Sequence, residues 1–327
     1  MTLDAEILKA LRAPPGAEFS AADLVQRLRC SRSTVRSHIE GLRALGYEIV
    51  SDPHRGYRLV SAPDLLHADE ILSLLGPVEV VGRDIHVFKE TTSTNDVAEK
   101  LARDGVREGV VVFAESQTRG WGRLGRRWVS PPGKGLWFSV LLRPNLSPQT
   151  VTQLTVAAAT ALSRAIRQQT DLATEIKWPN DILVQGRKVA GVLTELSAEL
   201  DHVNHAVLGI GLNVNLTTGD FPPELRKLAT SLKVSAGRPV RRAELAAAIL
   251  RELDRDYGRI SRGQFTAVAD EWEGQCTTLG RHVSIRLGDR RVTGRAESID
   301  EDGALQLRTD HGHLERITGG DVSLEKS

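Results

Sequence analysis

The chain has 327 residues and a formal net charge of +1 at pH 7, with lysine plus arginine almost balanced by aspartate plus glutamate. That length supports two or three domains with at least one substantial core. The balance excludes a global field for nucleic acid or membrane, so any DNA contact has to come from a local patch. No apolar run reaches membrane-spanning length, and the opening MTLDAEILKA lacks a signal-peptide pattern. Cys30 and Cys276 lie far apart and match no metal spacing, which fits reduced thiols and a cytoplasmic protein.

Ile7, Leu8 and Leu11 mark a first short helix, ended by Pro14-Pro15-Gly16. Ser20 is placed to cap a second helix carrying Leu24, Val25 and Leu28, and Ser31 to cap a third. The third helix sets Val35, Ile39 and Leu42 on one face and stops at Gly46. Two helices joined by a tight turn around Arg29-Cys30 form a helix-turn-helix over about residues 21–40. The outer face of the third helix carries Arg32, Ser33, Arg36 and Ser37, with Thr34 beside them, suited to phosphates and base edges in a major groove. Tyr47–Ser51 and Gly56–Val60 flank the turn Asp52-Pro53-His54-Arg55 like the β-wing of a winged helix. The same pattern also serves protein contacts, but Arg27, Arg29, Arg32, Arg36 and Arg43 face only Glu40 across that segment, which favours DNA.

Ala62-Pro63-Asp64 reads as a linker, followed by a short helix over Leu65–Leu75 and a strand over Ile85–Phe88. Ser93 with Asp96 predicts a capping box for a helix through Val97, Ala98 and Leu101 to Gly105. Capping alone accounts for these residues. A helix N-terminus bearing hydroxyls and an amide beside a strand end also suits a polar ligand head group.

The stretch Glu115–Trp128 interleaves Gly120, Gly122 and Gly125 with Arg119, Arg123, Arg126 and Arg127. It is too glycine-rich for a helix and too charged for a buried strand, and predicts a flexible loop able to close over an anion. Val110–Ala114 before it and an alternating Leu136–Leu142 after it read as strands holding its ends. By itself such a run is a solvated basic loop.

Ser147-Pro148 opens a long amphipathic helix through Leu154, Ala158, Leu162 and Ile166. Next, Lys177-Trp178-Pro179-Asn180-Asp181 places a lysine on a rigid corner, where its swing is restricted and it suits a carboxylate or phosphate. Asp181–Gln185 and Val189–Leu196 form a hairpin about Gly186-Arg187. Val207–Asn213 is an apolar strand whose Gly209 and Gly211 permit close approach of a ligand or of neighbouring backbone. Trp121, Trp128, Trp137 and Trp178 fall near the two basic motifs and favour a lined pocket for an apolar ligand with a polar end. Arg242–Arg262 is a core-spaced helix. His282–Leu287, Arg291–Ile299 and Ala304–Arg308 alternate as strands of a small β-barrel or sandwich. The pairs His311/His313 and His202/His205 have no further ligand pattern and read as solvated turns.

Ser93-Thr94-Asn95, the Gln117…Gly120–Arg126 loop, KWPND at 177–181, Arg187–Gly191 and Gly209–Asn213, in this order, resemble the bifunctional biotin protein ligases that double as biotin operon repressors. The resemblance covers nearly the whole chain. It implies an α+β protein with an N-terminal winged helix-turn-helix (1–62), a central mixed-sheet ligase domain of class II synthetase type (63–272) and a small SH3-like β-barrel (273–327).

It further implies a two-step reaction in which biotin and Mg-ATP form biotinyl-5′-adenylate, and a lysine of a biotin carboxyl carrier protein then takes the biotinyl group. By match, Lys177 and Arg123 are catalytic, with Lys177 bridging biotin carboxylate and α-phosphate. Thr94 and Gln117, with backbone at Trp121 and Arg123, meet the ureido ring, and Gly120–Arg126 folds over the adenylate. Ser93, Asn95, Gly209 and Asn213 complete the biotin and adenylate site, Asn180 and Lys188 serve metal or phosphate, and Asp181 is a possible Mg2+ contact, with no metal fixed by the protein alone. Implied partners are operator DNA, the carrier domain and a second copy of the adenylate-bound chain, with no membrane. The repressor-type ligases usually carry a basic residue where this chain has Trp121, which is expected to lie against biotin. A biotin sensor without ligase activity, a lipoate-type acyl ligase and a ligase whose winged helix is a relic stay open on sequence.

Overall fold

The computed structural model describes residues 2–12, 19–52 and 55–324. The chain divides into two compact units, residues 1–77 with 241–247, and residues 78–240 with 248–327.

In the first unit, α1 (Leu3–Arg12), α2 (Ala21–Leu28) and α3 (Arg32–Ala44) enclose a core of Ile7, Leu8, Leu11, Leu24, Val35, Ile39 and Leu42. Both predicted caps form. Ser20 Oγ accepts from Asp23 N at 3.0 Å while the Asp23 carboxylate accepts from Ser20 N, and Ser31 Oγ accepts from Thr34 N at 3.1 Å. The turn between α2 and α3 is made by Arg29 in the left-handed region, φ 50°. Antiparallel β1 (Glu48–Asp52) and β2 (Gly56–Ser61) form the wing, though Pro53 and His54 at its tip, like Pro14-Pro15-Gly16, lie outside the described residues. Residues 63–77, expected at the head of the central domain, belong to this unit. Their helix α4 (Ala68–Leu75) brings the buried Glu70 against Arg12 and Tyr47, whose hydroxyl donates to it at 2.9 Å. Burial and the Glu70 carboxylate push the Tyr47 hydroxyl well above its ordinary value, so it stays a donor.

The second unit is built on β3 (Asp84–Phe88), α5 (Thr94–Arg103), β4 (Val110–Ala114), β5 (Gly135–Leu142), α6 (Thr152–Thr170), β6 (Glu175–Lys177), β7 (Asp181–Val184), β8 (Arg187–Ala198) and β9 (Val203–Asn213). Then follow α7 (Leu232–Ala236), α8 (Arg242–Ser261, whose opening residues belong to the first unit) and α9 (Phe265–Glu273). Among the described residues these strands form one seven-stranded sheet in the order β3-β4-β5-β9-β8-β7-β6. Only β3 and β4 run parallel, so the sheet is mixed as expected.

Every residue of β4 and β5 is buried, so the alternation predicted for Leu136–Leu142 is absent; both faces are covered and both can be apolar. The expected capping box on α5 is also absent. Ser93 Oγ takes Asn95 N at 3.3 Å, and Asp96 accepts from Thr92 Oγ1 instead. Helix α6 starts at Thr152 rather than at Ser147-Pro148, which form a preceding turn. His205 is no solvated turn: it is buried on β9, with Nε2 2.7 Å from Glu99. His311 and His313 are exposed, as read.

The C-terminal strands β10 (His282–Leu287), β11 (Arg290–Ile299), β12 (Leu305–Thr309), β13 (Leu314–Ile317) and β14 (Asp321–Leu324) form a five-stranded antiparallel sheet in the order β13-β12-β11-β10-β14. The two-residue turn Gly288-Asp289 joins β10 and β11 where predicted. The last two strands were not foreseen, being short and flanked by glycine and histidine turns.

Candidate functional site

A cavity of about 520 Å³ lies against β8 and β9, where Gly191, Gly209 and Gly211 line it. Its polar end is the N-terminus of α5. Gln117 Oε1 accepts from Thr94 N at 2.8 Å and lies 3.2 Å from Thr94 Oγ1, while Gln117 Nε2 donates to Ser130 Oγ at 3.0 Å. The amide is therefore held in one orientation, with its oxygen beside the threonine hydroxyl.

The floor is a tryptophan on glycines. Gly191 and Gly211 are register partners in β8 and β9. A Cβ on Gly211 would stand 2.4 Å from the Trp128 ring, so only glycine lets the indole lie on the sheet there. Trp137 packs beneath it edge-on, with ring centroids 6.3 Å apart. Of the four clustered tryptophans, Trp121, Trp128 and Trp178 line the cavity; Trp137 is fully buried and supports Trp128.

The glycine–arginine stretch forms a small hairpin. Gly122 N donates to Arg126 O at 2.7 Å and Trp128 N to Gly120 O at 2.9 Å, around a turn with Leu124 and Gly125 at positive φ. Thr118 N and Arg119 N donate to Thr91 O and Thr92 O, stitching its base to the approach to α5. Trp121, Gly122, Arg123, Arg126 and Arg127 reach the cavity. Gly120 is not among the lining residues: it is buried, with Trp128 O, Gln117 Nε2 and Ser130 Oγ within 3 Å of any added Cβ. Its role is close packing at the hairpin base.

The cations divide into paired and unpaired. Lys188 Nζ is 2.6 Å from Asp181 Oδ1 and 5.3 Å above the Trp128 ring. Arg126 pairs with Asp321 at the start of β14, and Arg286 bonds the same carboxylate at 3.1 Å. Burial pushes the Arg123 guanidinium below its usual value, with Asp321 and Asp181 pulling it back and Arg126 opposing; arginine stays charged all the same. Among the described residues Arg123, Arg127, Lys227 and Lys177 line the cavity without an ion pair. Lys177 faces Asp181 in the β6–β7 register, yet that carboxylate goes to Lys188. Among the described residues the Lys177 side chain, which lines the cavity, has no hydrogen-bond or ion-pair partner.

Other predicted residues are tied up. Asn180 Nδ2 donates to Val192 O at 2.6 Å, and Asn213 Nδ2 to Thr230 O at 3.1 Å, so both amides brace backbone. Asn213 thereby anchors the 214–231 loop, which supplies Phe221, Leu225 and Leu228 to the cavity and is clamped by Lys134–Asp220 at 2.6 Å. Among the described residues no three His, Cys, Asp or Glu side chains gather as a metal cage. Sequence reading missed Phe221, Leu228 and Asp321 as site residues; nothing local marks them, because only the fold brings their segments to the cavity.

In the first unit, Arg32, Ser33, Arg36 and Ser37 are exposed on α3, while Thr34 turns toward Ser31 at 2.8 Å. Among the described residues Arg32 and Arg36 carry no ion pair, whereas Arg43 pairs with Glu40 and donates to Ile49 O.

Family models match three stretches: an HTH domain at residues 5–58, the biotin/lipoate A/B protein ligase family at 87–213, and the biotin protein ligase C-terminal domain at 278–325. The bifunctional ligase/repressor BirA of Bacillus subtilis (strain 168) is 39% identical over 310 residues, covering 94% of this chain and 95% of that protein. Its namesake in Escherichia coli (strain K12) is 30% identical over 322 residues, covering 98% and 97%. Among solved structures, the Aquifex aeolicus biotin protein ligase in complex with biotin and ATP superposes with a TM-score of 0.63 at 31% identity, over 75% of this chain and 100% of that one. Full-length likeness at this level, with all three domain models in order, places the chain in the family of bifunctional biotin protein ligase/repressors.

Proposed function

We infer that the protein is an ATP-dependent biotin–[carboxyl carrier protein] ligase that also acts as a DNA-binding repressor of biotin synthesis genes. In the first step a biotin carboxylate oxygen attacks the α-phosphorus of ATP, the bond to the β-phosphate oxygen breaks, and pyrophosphate leaves. In the second, the ε-amine of an acceptor lysine attacks the acyl carbon, sheds its proton and releases AMP.

The observation that carries the residue assignment is Lys177 on the β6–β7 corner, lining the cavity with no hydrogen-bond or ion-pair partner among the described residues, while the Asp181 opposite it is taken by Lys188. Two negative reactants have to meet, so a fixed positive charge between them lowers the barrier where charge builds up. A lysine already neutralised by a carboxylate would have to be released first. The Thr94–Gln117 end suits the ureido ring, and the Trp121, Trp128 and Trp178 walls suit the thiophane and valeryl chain. Arg123 and Arg126 would then cover the adenylate against water. Bound Mg2+ would supply charge neutralisation on the triphosphate, and Asp181, held by Lys188 at the cavity, would be the carboxylate to meet it.

Arg32 and Arg36, exposed on α3 without an ion pair among the described residues, would meet backbone phosphates, and we propose that adenylate binding promotes a homodimer that engages two half-sites, with both activities in the cytoplasm. A sensor without ligase activity has no need of a charge at the reacting carboxylate, and lipoate lacks the N–H donors that the Thr94–Gln117 end accepts. The test is biotin-dependent labelling of a carrier domain, followed by gel shift with and without biotin plus ATP. Labelling with no ATP-dependent shift would keep the ligase and remove the repressor.

A further inference from the structure

Helix α5 reaches the cavity through Thr94, but what fixes that hydroxyl lies behind it. Ser139 on β5, fully buried and outside the cavity lining, has its Oγ 2.7 Å from Thr94 Oγ1 and 2.5 Å from Asn95 Oδ1. Asn95 Nδ2 in turn donates to Glu195 Oε2, on the exposed part of β8. The Asn95 side chain crosses β9 at Gly209, where any Cβ would sit 2.3 Å from its amide oxygen. Gly209 is register partner to Ser139 on one side and Leu193 on the other, so the asparagine spans three strands through a gap that only glycine leaves.

The chemistry of this chain has a direction. An ionised carboxylate only accepts, so Glu195 forces the NH2 of Asn95 toward itself and its oxygen toward Ser139. Ser139 has a single proton for two oxygens, and the amide oxygen can do nothing but accept. The Ser139 proton is thereby committed to Asn95, and the Thr94 proton points inward, to Ser139 Oγ or to Gln117 Oε1. Either way Thr94 shows the cavity a lone pair, and when its proton goes to Ser139 Oγ, Gln117 Oε1, which already accepts from Thr94 N, keeps one beside it.

We propose that Glu195, Asn95 and Ser139 form a positioning relay that fixes the proton direction at Thr94, so that the head of the cavity accepts from ligands whose polar end donates N–H. On the biotin reading above, on which this rests, the donors are the ureido N–H groups. Glu195 and Ser139 are positioning residues; neither touches the ligand.

The test measures binding of biotin and of its cyclic carbamate analogue, in which one ureido N–H is replaced by a ring oxygen, together with pyrophosphate exchange at saturating biotin. The wild type is expected to prefer biotin by at least ~100-fold, since the analogue turns an acceptor, its ring oxygen, toward fixed acceptors. Glu195→Lys supplies a donor where an acceptor stood, reverses the amide and releases the Thr94 proton, so the preference should fall below about tenfold. Glu195→Gln keeps an accepting oxygen and should retain the preference within roughly threefold. Ser139→Ala should behave like Glu195→Lys, and kcat should stay within about twofold in all three, because Lys177 is untouched. An unchanged preference in Glu195→Lys, an exposed position that tolerates substitution, would overturn the relay even if Ser139→Ala fails to fold. Equal loss for both ligands in Glu195→Lys would mean that the residue only props the fold, and also overturns it. A wild type that binds neither compound overturns the biotin reading itself, a distinct result.

Discussion

The arginines of α3 and the cations of the cavity, both proposed to meet phosphate, are prepared in different ways. Arg32 and Arg36 stand exposed without an ion-pair partner among the described residues, while Arg126 and Lys188 are already held by Asp321 and Asp181. A long duplex supplies a dense array of phosphates that repays loosely held side chains through counterion release. A single nucleotide has to be gripped at one geometry, and two of the cavity's cations are already held in place by carboxylates. The difference separates binding that tolerates many registers from chemistry that tolerates one.

The strongest way to break this comparison is to remove Lys177, the unpaired cation on the β6–β7 corner. Lys177→Ala is expected to lose about 10²–10³ in biotin-dependent pyrophosphate exchange, the usual cost of deleting one preorganised charge-stabilising group. DNA binding by the ligand-free chain should not change. A loss of only a few-fold would move the catalytic charge to Arg123 or Lys188 and erase the contrast.

Next in size is the floor. Gly211→Ala places a methyl 2.4 Å from the Trp128 ring, and displacing the indole also moves the cation that sits on it. Overpacking of about 1–3 kcal/mol predicts a KM for biotin raised roughly 5- to 150-fold, with the melting temperature lowered as well. An unaltered KM would show that Trp128 yields freely and is no part of the grip.

Much of this was legible in the sequence because the responsible interactions are local. Ser20 and Ser31 cap helices within three residues of themselves, and the Lys177–Asp181 corner is five consecutive residues. The ordered motifs marked the cavity, since Ser93–Asn95, Gln117, Arg123, Lys177 and Gly209 do converge on it. What escaped depends on distant partners. Nothing near Asp321 announces that it meets Arg126, 195 positions earlier in the chain, and nothing near Asn213 shows its amide spent on Thr230 O. The burial of both faces of β5 was hidden too, because an apolar strand reads alike whether one side or both are covered.

The exposed set gives a smaller, differently shaped signal. Arg36→Ala should lower the slope of log K against log salt by about 1 and weaken binding nearly uniformly across DNA sequences. Salt titration of a gel shift or fluorescence anisotropy reads this directly. A variant that instead changes which sequence is preferred, with the slope intact, would assign Arg36 to a base edge and make the helix more selective than the comparison supposes.

Smallest of all is the effect of loosening a paired cation. Burial alone would raise the Asp321 carboxyl, but the bonds from Arg286 and Arg126 outweigh it and hold the group below the ordinary carboxylate range. A depressed folded-state value means that the pair contributes above the unfolded value of about 4 and is lost only as pH falls through the folded one. Between pH 5 and pH 8 the latch is therefore constant, and no pH dependence in ATP binding over that range should be traced to it. Because Arg126 is 62% exposed, Asp321→Asn should shift stability by less than about 1 kcal/mol. Its consequence lies in binding: an unheld Arg126 has to be ordered by the nucleotide, which raises the KM for ATP about two- to fivefold and leaves the KM for biotin alone. A fall in the KM for ATP would mean that the carboxylate competes with the phosphates instead of presenting the arginine to them, and the cavity's paired cations would then be restrained rather than prepared.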